Sequence, residues 1–82
     1  MSLPVNQKYF DYRLELKQVF QERRGRNPRY SLRSYARDLD LGVATLSQVL
    51  SGKRHLSVKN AKKVVYKLCW GPFQEKCLYD LL

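Results

Sequence analysis

The 82 residues predict an all-α fold, a compact bundle of about five short helices. Apolar residues recur at i, i+3, i+4 and i+7 in several separate stretches, while none shows the strict alternation of a strand. Each stretch opens at a residue suited to a helix N-cap or first turn, or closes at a Gly, Asn or Pro breaker. A hydrophobic content of 44% is enough for one modest core, and a chain of this length makes one domain.

The first seven residues read as a flexible tail, with the domain proper spanning 8–82. In "YFDYRLELKQVFQERR" Tyr9, Tyr12, Leu16, Val19 and Phe20 share a helical face. Asp11 stands near the start and Arg23 and Arg24 at the end, the charge order that suits the helix dipole. "GRNPRY" should break this helix. Ser31 then reads as an N-cap for a second helix, whose Leu32, Tyr35, Ala36 and Leu39 form its inner stripe. At "DLDLG" the pattern stops, and Asp40 can take a left-handed conformation at lower cost than most residues.

A third helix follows from about Val43 to Leu50. Ser57 caps a fourth, with Val58, Ala61, Val64, Val65 and Leu68 as its apolar side and Lys59, Lys62, Lys63 and Lys67 on the other. "CWGPF" interrupts again, Pro72 suits a first helical turn, and Phe73, Cys77, Leu78 and Leu81 make one more apolar face. Gly71-Pro72 falls between Cys69 and Cys77, so two buried free thiols are expected rather than a disulfide.

The charge is lopsided. The formal net charge is +9, yet residues 23–67 hold twelve basic side chains against two acids, Asp38 and Asp40, a local net of +10; the remainder nets −1. A basic middle on a folded domain points to a polyanionic partner, nucleic acid first and an acidic membrane surface second. The sequence has no apolar run long enough for a membrane span and no signal-peptide core, so a cytoplasmic location is expected. One His, no paired acids, no Gly-rich phosphate loop and no metal-ligand cluster argue against an enzyme, and no cofactor is expected.

Within that basic segment the third helix is the exception. Val43, Ala44, Thr45, Ser47 and Gln48 carry no charge and form a small, polar outer face. About three residues join this helix to the preceding Ser31–Leu39. Small Ala36 allows close approach of two helices, and Leu39, Leu41, Leu46 and Val49 fall on the buried sides, as a tight helix-turn-helix with a core at 31–52 requires.

"SLRSYARDLDLGVATLSQVLSGKRHLSVKNAKKVVYKL", residues 31–68, resembles the repressor-like helix-turn-helix of the Cro and phage-repressor class, often called XRE-like. That family usually has Gly where this chain has Asp40, and Ser or Thr where it has Gly42. Nearly the whole chain is also similar to the N-terminal region of a group of bacterial transcriptional regulators. In these a "DYR" opening precedes an Arg-Asn-Pro segment, a helix-turn-helix and "GKR-x-LS". Members of the group usually continue into a larger C-terminal domain. The resemblance therefore implies the DNA-binding part of a longer regulator, located at the nucleoid, and leaves a homodimer and a C-terminal effector domain open.

The resemblance implies that Val43–Leu50 is a recognition helix entering the major groove of double-stranded DNA. Gln48 would then pair with adenine, Thr45 and Ser47 with several base edges, and Val43 and Ala44 would meet thymine methyls or permit close approach. Phosphates would be met by Arg29, Ser31 and Arg33 on one flank and by Ser51, Gly52, Lys53 and Arg54 on the other, with Lys59 in reach. His55 in the loop, and Lys62, Lys63 and Lys67 on their helix, read as solvated.

The alternative is a protein-interaction module, adaptor or antitoxin-like, built on the same shape. Tyr9, Phe10, Leu14, Trp70 and Phe73 supply more apolar surface than so small a core obviously needs. Binding to anionic lipid ranks third, since the stripe of the fourth helix is better used in a core.

Overall fold

The computed structural model describes residues 11–82; the expected tail at 1–7, Tyr9 and Phe10 lie outside them. Among the described residues five helices follow one another with no strand: α1 Tyr12–Arg26, α2 Leu32–Leu39, α3 Val43–Leu50, α4 Val58–Leu68 and α5 Pro72–Leu81. None of them is long and apolar enough to cross a membrane.

Local chemistry explains where each helix starts. The Asp11 carboxylate accepts from Arg13 N and Leu14 N, the Ser31 hydroxyl from Ser34 N, and the Ser57 hydroxyl from Asn60 N. Gly42 precedes α3 with no side-chain cap. At α5 Gln74 reaches back to accept from Gly71 N at 2.9 Å, and Pro72 fills the first turn.

The ends follow a repeated device. Asp40, Gly52 and Cys69 all adopt positive φ, at 60°, 82° and 56°. After each, the chain closes the last turn with paired bonds, Leu41 N to Ala36 O, Lys53 N to Gln48 O and Trp70 N to Val65 O, the pattern of a Schellman motif. Leu41 and Trp70, immediately after the turn, are buried. Helix α1 differs. It runs through Gly25 to Arg26, two residues beyond the expected break, and Asn27 ends it in an extended conformation, as a residue before proline prefers.

One core joins the helices. Tyr12 and Leu16 of α1, Tyr35, Ala36 and Leu39 of α2, Leu46 and Val49 of α3, Ala61 and Val64 of α4 and Leu78 of α5 are all buried, with Leu41, Leu56 and Trp70 from the connections. Helix α3 packs on α1 and α2, α2 on α4, and α4 on α5. Burying a side chain such as Leu46 contributes about 1.5–3 kcal/mol.

Between α1 and α2, Phe20 stacks on Tyr35 with centroids 5.2 Å apart, and Tyr30 closes the aromatic group. The Arg23 guanidinium lies over Tyr30 and Tyr35, bonds the Tyr30 hydroxyl at 3.0 Å and pairs with Asp38. Tyr30 in turn donates to Asp38 at 2.7 Å.

Several expected contacts differ. Val58 is 57% exposed, so the α4 stripe narrows to Ala61, Val64, Val65 and Leu68. On α5 only Leu78 is buried; Phe73 and Leu81 are exposed because α5 meets α4 alone among its strong neighbours. Trp70 belongs to the core rather than to a docking surface. Both cysteines are free as expected, but neither is buried: Cys69 is exposed in its left-handed turn and Cys77 is half-buried. Lys63 is not a solvated lysine. Its ammonium donates to the Asp40 carbonyl at 3.0 Å and pairs with the Asp40 carboxylate at 3.3 Å, pinning the α2–α3 turn to α4.

Candidate nucleic-acid interface

The uncharged face of α3 exists because the helix spends its apolar side on the core. Leu46 and Val49 are fully buried and Leu50 half-buried, which leaves Ala44, Ser47 and Gln48 exposed on the outer side. Thr45 is half-buried. Val43 also differs from the expected open surface, since it is half-buried and packs against the core; its methyls are only in part available to a partner.

What holds this helix is a residue that periodicity did not single out. Arg13, on the first turn of α1, donates Nε to the Val49 carbonyl at 2.9 Å and Nη2 to the Arg54 carbonyl at 3.1 Å. The final carbonyls of a helix lack partners within it, and a guanidinium suits their partial negative charge. Beside it the buried Tyr12 sets its hydroxyl 3.1 Å from His55 Nδ1, and Arg13 Nη2 lies 3.4 Å from the same nitrogen. His55 is therefore engaged by α1 rather than simply solvated. The sequence did flag "DYR", but as a shared pattern and not for these contacts.

The loop after α3 folds back on the helix end. Gly52 N donates to Val49 O at 3.1 Å, while Lys53 N and Ser51 Oγ both reach the Gln48 carbonyl, at 2.9 and 3.1 Å. The Ser51 hydroxyl is thus used within the turn. Lys53 is exposed. The Arg54 side chain, a candidate phosphate contact, returns to α3, and its Nη1 donates to Gln48 Oε1 at 3.1 Å. Ser47, Gln48, Ser51, Gly52, Lys53 and Arg54 accordingly form one contiguous surface.

The opposite group is less compact. Arg29 and Arg33 are exposed beside the first turn of α2. The Ser31 hydroxyl is committed to capping Ser34 N and lies 3.0 Å from the Ser34 hydroxyl. Asn27 fixes the approach to this turn by accepting from Arg29 N at 3.1 Å. Lys59 is exposed in the first turn of α4. No hydrogen bond or ion pair among the described residues ties Arg29, Arg33 or Lys59 to α3, so these cations are free to move toward an anion.

Comparison with protein-family models, with curated proteins and with solved structures yields no match to this chain.

Proposed function

We propose that this chain is a DNA-binding domain that inserts α3 into the major groove of double-stranded DNA and acts in transcriptional regulation rather than catalysis. The observation that carries the reading is the exposed, uncharged Ala44–Ser47–Gln48 surface on a helix whose end is bonded by Arg13, within a segment of net charge +10. Short neutral hydrogen-bonding groups such as Ser and Gln can meet base edges, whereas phosphates call for cations around them. Lys53 next to α3, and the exposed Arg29, Arg33 and Lys59, supply those cations. The uncapped first turn of α3 leaves N–H groups directed along the helix axis, in keeping with entry by that end. The bacterial helix-turn-helix class enters through the resemblance of residues 31–68.

The reading is tested by titrating labelled duplexes at low and near-physiological salt, with sequences selected from random DNA. Affinity should fall steeply with salt. Lys53→Ala should weaken all duplexes alike and reduce the salt slope by about one. Gln48→Ala should change the ranking among duplexes. Absence of binding at both salt concentrations, or equal loss on selected and random DNA for Gln48→Ala, would count against it.

A protein-interaction module is the second reading, favoured by Phe73 and Leu81, which stand 58% and 47% exposed on α5. Binding to no duplex would bring it forward.

A further inference from the structure

The contact between Arg54 and Gln48 bears on which base α3 reads. Two bonds fix where Arg54 starts from: its own carbonyl is held by Arg13 at 3.1 Å, and the preceding Lys53 N is bonded to Gln48 O at 2.9 Å. From there the side chain doubles back over six residues of sequence to place Nη1 3.1 Å from Gln48 Oε1. A guanidinium has donors and no acceptor. Only the amide oxygen can face it, so the orientation of the Gln48 amide is set by chemistry. The oxygen is turned to Arg54 and the NH2 group is left without a protein acceptor among the described residues.

A free Gln offers one acceptor and one donor side by side, the complement of adenine N6 and N7. The paired Gln48 does not. Its oxygen is occupied by a charged donor, with which an adenine amino group would have to compete. What remains outward is the Gln48 NH2 and the other N–H groups of Arg54, a surface of donors only. Of the four bases in the major groove, guanine alone presents two adjacent acceptors, N7 and O6. Adenine and cytosine each present an amino donor, and thymine one acceptor beside a methyl group.

We propose that Arg54 is a specificity-determining residue, orienting Gln48 so that the pair reads guanine in place of the adenine a lone glutamine would select. This rests on the reading of α3 as a major-groove helix. It also moves Arg54 from a general phosphate contact to a residue whose loss alters sequence preference.

The test uses the full 82-residue chain and duplexes selected from random DNA, varied one base pair at a time. At the position most sensitive to Gln48→Ala, the wild type should prefer G·C over A·T by about tenfold or more, the usual size of a good two-bond contact. Arg54→Ala should shift that position toward A·T, because it frees the amide oxygen. Arg54→Lys, which retains a donor, should keep G·C. Replacing the guanine by 7-deazaguanine should lower wild-type affinity by a comparable factor, a readout that needs no protein variant. Thermal melting of Arg54→Ala should match the wild type, since the Arg54 carbonyl that Arg13 holds is unchanged. An A·T preference in the wild type, or an unchanged ranking in Arg54→Ala, overturns the proposal while leaving α3 in the groove. Absence of any selected sequence overturns the α3 reading and this proposal together.

Discussion

Three consecutive residues, Asp11, Tyr12 and Arg13, do separate work. The first caps α1, the second is buried with its hydroxyl at His55, and the third grips the end of α3. Asp11 near a helix start was legible from the sequence, because capping is local. The Arg13 contacts were not, since they link residues 36 and 41 apart and periodicity carries no information at that range. Arg13→Ala removes two charge-assisted bonds, while the Val49 carbonyl keeps the one from Gly52 N. It should lower stability by about 1–2 kcal/mol, a fall in Tm of roughly 5–15 °C for a domain of this size, measured by thermal melting. Arg13→Lys should recover only part of this, because an ammonium lacks the planar fork that spans two carbonyls.

At the scale of the helices, three of the five end on a left-handed residue, and these were unequally visible. Gly52 announced itself, Asp40 was an acceptable choice, and Cys69 gave no signal, since Cys carries no preference for that conformation. The cost of each follows from residue type. A Cβ on Gly52 would meet no atom within 4 Å, so Gly52→Ala pays conformational strain without a clash, about 1–2 kcal/mol. Cys69→Gly relieves the same strain and should raise stability by about 1 kcal/mol. Denaturant unfolding of the two variants should therefore give midpoint shifts of opposite sign.

The helix starts at Ser31 and Ser57, the turn at Asp40 and the inner faces of α2 and α3 were all legible in the sequence. The exposure of Phe73, Leu81 and Val58 was not, because a hydrophobic pattern marks a face without saying whether a neighbour covers it. The candidate site was legible in part. The neutral outer face of α3 followed from periodicity, whereas the return of Arg54 to Gln48 depended on the path of the loop.

For the molecule as a whole, the aromatic group between α1 and α2 ties stability to alkaline pH. Tyr35 is fully buried, and its hydroxyl donates to the Leu16 carbonyl at 2.8 Å. Burial pushes its phenol well above the ordinary 10.0, and burial followed by the bond to Asp38 also raises Tyr30. The folded chain thus keeps protons that the unfolded chain releases near pH 10. This stabilisation is complete below that pH and is lost as pH rises through the folded values. Thermal melting should show Tm falling above about pH 10. Tyr35→Phe should start about 1 kcal/mol less stable at neutral pH and decline less steeply. One further consequence belongs to the clamp on α3. Arg13 holds main-chain oxygens, at Val49 and Arg54, and main-chain oxygens are the same whatever residue bears them. The outward positions 44, 47 and 48 are therefore uncoupled from the seating of their helix. Substitutions at these three positions should change the chemistry of the exposed face and leave the seating of α3 unaltered, with Tm within a few degrees of the wild type by thermal melting.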